Sequence, residues 1–145
     1  MSSLRLTRLD HRDALLVLAA GDLFGTPPTE EGARRFLEMP GHHLVLAIEG
    51  YRPVGFASGV EMGHPDKGTE MFVYELAVDP AQQRRGIASA LLRELQAIAT
   101  ERGCSALWTV TDTDNEAALA TYRSLGTRDS SGKTMLEWDG GHATR

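Results

Sequence analysis

Residues 71–103 read MFVYELAVDPAQQRRGIASALLRELQAIATERG: a strand, a tight basic turn and a long helix in succession. Met71 to Val78 is rich in aromatic and β-branched residues and stops at Asp79-Pro80, because proline cannot donate to a ladder. From Gly86 onward, Ile87, Leu91, Leu95 and Ile98 recur at helical spacing with Ala88, Leu92 and Ala99 beside them, and Gly103 is placed to close the helix. Between strand and helix stands Gln83-Arg84-Arg85-Gly86-Ile87-Ala88. The first amides of a helix have no partner within it, and the macrodipole adds partial positive charge there. Gly86 and Ala88 let an anion such as a diphosphate approach the backbone, the Ser89 hydroxyl adds a donor, and Arg84 and Arg85 add charge. The plainer alternative is an ordinary strand-to-helix turn with a solvated arginine pair.

Composition bounds the rest. A chain of 145 residues suffices for one domain with a real core, and 41% hydrophobic with 24% charged residues is the balance of a soluble globular protein. No apolar run approaches the about 20 residues of a membrane span, and Met1-Ser2-Ser3-Leu4-Arg5 has no signal-peptide core, so no membrane partner and a cytoplasmic location are expected. The single cysteine, Cys104, excludes an intrachain disulfide and offers no metal-ligand cluster, so no metal is expected. A net charge of −5 argues against nucleic acid and suits a cationic amine.

Working outward, Leu4 to Arg8 alternates as an edge strand does. Asp10 is a candidate cap for a helix carrying Leu15, Leu16, Leu18 and Ala19 and running out at Leu23-Phe24-Gly25. Thr29 caps a second helix that ends at Pro40-Gly41. Two strands, His43 to Ile48 and Pro53 to Met62, are joined by a hairpin turn at residues 49–52, and a polar loop from Gly63 to Glu70 suits a surface excursion beside a substrate mouth. After the long helix come a strand from Ala106 to Thr111, a short helix opened by Asp114 or Asn115 and ended at Leu125-Gly126, a last strand from Lys133 to Trp138, and a polar tail over 140–145. Without repeat, linker or low-complexity segment, residues 1–145 read as a single domain. This order implies an α/β (α+β) mixed sheet with helices on both faces, in which Met71–Val78 and Ala106–Thr111 are parallel strands of a right-handed βαβ unit.

The Q-x-x-G-x-A pattern at Gln83 to Ala88, after a strand ending in LAVDP and before NEAALATYRSLG at 115–126, resembles the acyl-CoA site of the GNAT superfamily of N-acetyltransferases. The likeness runs from about Leu4 to Trp138. It implies a mostly antiparallel sheet of six to seven strands with a central parallel pair that splays at a bulge. Acetyl-CoA is then the cosubstrate. Its pantetheine arm lies in the gap and pairs with the free backbone of Leu76, Ala77 and Val78, while Gln83, Arg84, Arg85, Gly86, Ile87, Ala88 and Ser89 surround the pyrophosphate. Within the superfamily the aminoglycoside 3-N-acetyltransferase type I group resembles this chain at AGDLFG (20–25), MFVYELAVDP (71–80), QRRGIASAL (83–91) and ALATYRSLG (118–126), which would put Phe24-Gly25 on the acceptor rim among Asp22, Glu30, Glu31, Glu61 and Asp66. A homodimer is common in the superfamily, and exposed strand edges near the C-terminus would serve it.

Acetyl transfer from a thioester to an amine needs a neutral amine, a stabilised oxyanion and a protonated or hydrogen-bonded leaving thiolate. No Ser-His-Asp or Cys-His arrangement is evident. Tyr122, seven residues beyond Asn115, holds the place of the leaving-group acid in the resemblance; otherwise it is a half-buried core tyrosine. Asn115 either bonds the pantetheine, caps its helix, or does both. Glu75, in an otherwise apolar strand, is the candidate base or else a salt-bridged structural carboxylate; Glu70, Glu61 and Asp112 are lesser candidates. The amide of Ala77 or Val78 is the expected oxyanion donor. Trp108 and Trp138 are expected in the core or the cleft wall. A non-catalytic acyl-CoA sensor would lack the leaving-group acid. A nucleotide enzyme would show G-x-x-x-x-G-K-[ST] or G-x-G-x-x-G, and neither occurs. A protein N-terminus, lysine or amino acid is the alternative acceptor to an aminoglycoside or similar small cation.

Overall fold

The computed structural model describes residues 3–140. Among them the sheet has five strands in the order β1 (Leu4–Arg8), β2 (His42–Glu49), β3 (Arg52–His64), β4 (Gly68–Val78) and β5 (Ala106–Trp108). The first four pair antiparallel and β5 lies parallel to β4. Helices α1 (Ala14–Ala19) and α2 (Glu30–Glu38) follow β1, α3 (Ile87–Glu101) crosses from β4 to β5, and α4 (Glu116–Ser124) follows β5.

Strand periodicity sorts the core onto two faces. Val45, Ala47, Val54, Ala57, Met71 and Val73 meet the α3 stripe of Ile87, Leu91, Leu92, Leu95, Ile98 and Ala99, all buried. Leu44, Leu46, Ile48 and Phe56 point the other way, onto Ala14, Val17 and Ala33 of α1 and α2. Gly103, at φ +75, ends α3: its N–H reaches Thr100 O at 3.0 Å and the Cys104 N–H reaches Ala99 O at 2.9 Å, the paired closure of a helix that finishes on a left-handed residue.

Five expectations are corrected. The segment from Lys133 to Trp138 is not a strand, and residues 127–139 hold no helix or strand. Met135 and Leu136 are adjacent and so would face opposite sides of a strand, where no layer covers either; with Trp138 they stay at 76–85% exposure. The sheet therefore has five described strands rather than six or seven, and Trp138 is neither core nor wall. The first helix starts at Ala14 with Asp13 as cap, because the Asp10 carboxylate is engaged by the Arg12 backbone and guanidinium. The chain between Gly63 and Glu70 is no loop: β3 and β4 pair on to His64 and Gly68, leaving only residues 65–67 to turn, at the far end of the ladder from Val78. Thr29 caps α2 as expected, its hydroxyl accepting from the Gly32 N–H at 3.0 Å. Of the 140–145 tail only Gly140 falls within the described residues. Among those residues no helix is long and apolar enough to cross a membrane.

Candidate active site

Two irregularities in β4 build the site. The register passes from Ser58–Glu75 to Gly59–Val73, so Tyr74 is an extra residue, a bulge that bends the strand. Beside it the parallel pairing with β5 ends at Phe72–Trp108, after which the Thr109 hydroxyl donates to Val73 O at 2.9 Å and the two chains part. A cleft of about 370 Å³ opens between them. Val73 to Ala77 forms one wall and Thr109 to Thr111 the other, with Asn115, Ala118 and Tyr122 of the α4 segment beside them and Leu23, Gly25 and Phe56 at the opposite end.

The cleft is reached from both faces of the sheet. Tyr122 and Leu76 pack on the core beneath α3, while Ala77, Phe56, Leu23 and Phe24 belong to the α1–α2 side. Glu75 stands opposite Ser58, two residues along from Phe56, and so shares the α1–α2 face. The gap thus joins a tyrosine on one face to a carboxylate on the other. Phe24 stacks on Phe56 at 4.2 Å, fixing the end of the first helical segment against this mouth.

Backbone parity decides which amides of β4 are free. The Asp79 N–H reaches Val54 O at 2.8 Å. Antiparallel pairs alternate, so Ala77 and Glu75 turn their backbone groups to β3, while Leu76 and Val78 turn theirs to the open side. Of the two amides expected as oxyanion donor, Ala77 is committed to the ladder; Val78, like Leu76, turns to the side of β4 away from β3.

Tyr122 is half-buried, and burial pushes its phenol above the ordinary tyrosine value, partly offset by a hydrogen bond with the Thr109 side chain. It therefore keeps its proton through neutral pH. Asn115 accepts from the Ala118 N–H at 3.1 Å through its side chain and lines the cleft as well, so both of its readings hold at once. Glu75 is exposed and lines the cleft with no ion pair among the described residues, so the salt-bridged alternative is not realised. Glu61 has a different place: its carboxylate accepts from His43 Nε2 at 2.6 Å and Arg102 Nε at 2.9 Å, away from the cleft. Glu70 lies 3.7 Å from His64, and Glu30 and Glu31 pair with Arg34 and Arg35 along α2, so these acids do not gather at the mouth.

At the other end of β4, Asp79 caps a short turn by accepting from the Ala81 N–H at 3.0 Å. Arg84 has φ 67 and Gly86 φ 80, a left-handed pair before the helix. The first helical bond of α3 runs from the Ala90 N–H to Gly86 O, and no side chain caps Gly86, so the amides of Ile87, Ala88 and Ser89 have no helical partner. The Ile87 side chain is buried in the core, so only its amide is available. Gln83 Nε2 donates to Val78 O at 3.4 Å and bridges this seat to the free edge of β4. Arg85 is bonded to Glu49 and Gln82. The sequence did not single out Thr109, Tyr74 or Phe56; a threonine directly after an aromatic strand was the one visible signal, and the bulge had none. Trp108 packs on Phe72 at 4.7 Å but is exposed and does not line the cleft, so it is neither core nor cleft wall.

The Acetyltransferase (GNAT) family model matches residues 12–127. The chain is 44% identical over 95 residues to the N-alpha-acetyltransferase RimI of Mycobacterium tuberculosis, covering 63% of this chain and 56% of that protein. It is 32% identical over 91 residues to the L-2,4-diaminobutyric acid acetyltransferase of Nocardia farcinica, covering 63% and 46%. The matches thus span about half the length of these curated relatives. Among solved structures it is similar to an aminoglycoside acetyltransferase from an uncultured soil metagenomic sample, at 28% identity and a TM-score of 0.80, covering 94% of this chain and 99% of that one.

Proposed function

The chain belongs to the acetyltransferase (GNAT) family, and from that premise we propose that it moves an acetyl group from acetyl-CoA to a primary amine by direct attack in a ternary complex. One observation carries this reading: the unpartnered amides that open α3 stand at the end of the same strand whose free edge and parted neighbour make the cleft. The coenzyme's diphosphate sits on the amides of Ile87, Ala88 and Ser89 beside Arg84 and Gly86, and the pantetheine follows Gln83 along the open side of Val78 and Leu76 toward Asn115. The thioester then lies between Tyr122 and Glu75.

The chemistry follows from the two faces. Glu75 takes the proton of the acceptor ammonium, directly or through water, so that the nitrogen lone pair is free. That lone pair attacks the thioester carbonyl carbon. The charge developing on oxygen is met by the Val78 amide, or by Leu76. Collapse breaks the carbon–sulfur bond, and the Tyr122 hydroxyl donates its proton or a hydrogen bond to the departing sulfur. The acylated nitrogen gives up its extra proton to solvent, which returns a proton to Tyr122 where it gave one. No covalent enzyme intermediate is needed.

The acceptor enters from the α1–α2 side past Leu23 and Gly25. A small polyamine-like cation, an aminoglycoside among them, is the first reading, supported by the near-full-length likeness to an aminoglycoside acetyltransferase. A protein N-terminus is the second, supported by the 44% identity to an N-alpha-acetyltransferase. Thiol release from acetyl-CoA with gentamicin-like compounds, diamines and a short peptide with a free N-terminal alanine separates them: turnover on the cations alone supports the first, and turnover on the peptide alone supports the second. No turnover across a broad amine panel contradicts the transferase reading. The reaction is placed in the cytoplasm, in a monomer or a homodimer.

A further inference from the structure

The loop between β4 and α3 is tied at both ends to one short hairpin turn. Glu49 closes β2, Arg52 opens β3, and the two are the terminal register pair of that hairpin. Where the loop starts, Arg52 Nη2 donates to Asp79 Oδ2 at 2.8 Å. Where it ends, Arg85 donates through Nη1 to Glu49 Oε1 at 3.0 Å and through Nη2 to Glu49 Oε2 at 2.5 Å, and Nη1 also reaches the Gln82 side chain. The two acids keep only 14% (Glu49) and 16% (Asp79) side-chain exposure. Carboxylates that far out of water depend on their partners, and a two-pronged guanidinium contact also fixes direction. Arg84, just inside the second anchor, and Gly86, directly after that anchor, are both left-handed, a shape that surroundings must impose on a non-glycine residue.

We propose that the β2–β3 turn is a positioning device for the coenzyme. Glu49 and Arg52 hold the loop in the shape that aims the amides of Ile87 to Ser89 at the diphosphate. Arg85 is the loop's clasp rather than a phosphate ligand, since its charge is already met by Glu49. Arg84, which has no such carboxylate partner among the described ion pairs, is the arginine that meets the anion. This rests on the acetyl-CoA reading above.

Charge exchange tests it. Glu49→Arg and Arg85→Glu should each weaken coenzyme A binding about tenfold or more, because each strands a like-charge pair at the anchor. The double exchange should recover binding to within about threefold, the mark of a directly coupled pair. KM for acetyl-CoA should follow these changes while kcat at saturation stays level. If Arg85 instead contacts phosphate, the double variant, with a carboxylate at position 85, binds no better than Arg85→Glu, and the proposal is overturned. Neutral variants give a second readout should the exchange not fold. Salt dependence of coenzyme A binding should flatten in Arg84→Gln and stay unchanged in Glu49→Gln/Arg85→Gln; equal flattening in both contradicts the proposal. A parent chain that binds no coenzyme A overturns the acetyl-CoA reading and this proposal together. A parent that binds, with no recovery in the double variant, overturns this proposal alone.

Discussion

Tyr122 and Glu75 differ in environment in the way their proposed roles require. Tyr122 is drawn into the core beneath α3 and kept protonated, whereas Glu75 is turned out into the cleft. Because the Tyr122 value is raised, its donor form persists as pH rises through neutrality and is lost only above the ordinary tyrosine range. We expect Tyr122→Phe to lower kcat by about 10²–10⁴, to leave coenzyme A affinity nearly unchanged, and to remove an alkaline limb from the rate profile; stopped assays between pH 7 and 11 check it. Glu75→Gln should lower kcat/KM by a similar factor of about 10²–10⁴, again with coenzyme A binding intact by calorimetry. Residue types were legible in the sequence, but commitments were not. Arg85 reads as a phosphate ligand until Glu49, 36 residues earlier, is seen to hold it. Ala77 and Val78 read alike until the bulge at Tyr74 and the β3 pairing set which amide is open.

At the level of elements, α3 was legible because a 3.6-residue apolar period fixes its buried face with no knowledge of the rest of the chain. The β2–β3 hairpin was legible from its turn residues at 49–52 between two apolar runs, whereas the pairing of β3 with β4 on to His64 and Gly68 was not. What failed was non-local. The end of β5 at Trp108 depends on where β4 bends away, and the segment from Lys133 to Trp138 has strand composition but no ladder to join. Packing of α3 against the sheet positions the seat, so its core can be tested apart from the chemistry. Leu95 is fully buried in that cluster, and Leu95→Ala should cost about 2–5 kcal/mol in urea unfolding. The cap of α4 gives a smaller and more telling effect. Asn115→Ala should cost about 1 kcal/mol of stability and in addition raise KM for acetyl-CoA; a stability loss with no change in KM would leave Asn115 as a cap alone.

Across the whole molecule, the sheet separates a catalytic end from a structural one. At the structural end Glu61 is desolvated, which alone would raise its value, yet His43 and Arg102 outweigh this and hold it below the ordinary glutamate range. A carboxylate lowered on folding adds stability that is present above its unfolded value of about 4.3 and is lost as pH falls below it. Glu61→Gln should therefore flatten the decline of Tm on acidification below about pH 5 while leaving the active site untouched. At the catalytic end, the proposed reaction has coenzyme and acceptor approach from opposite faces and meet through the parted strands, so a coenzyme anchored at the helix N-terminus is its central claim. Calorimetric titration of coenzyme A into the purified chain, repeated with Gly86→Glu and Tyr122→Phe, tests it most directly. Nothing crowds a side chain at residue 86, so the variant's added charge and its left-handed backbone act at the seat itself. Saturable binding that Gly86→Glu abolishes and Tyr122→Phe preserves is the predicted result; absent binding, or binding indifferent to Gly86→Glu, contradicts the account.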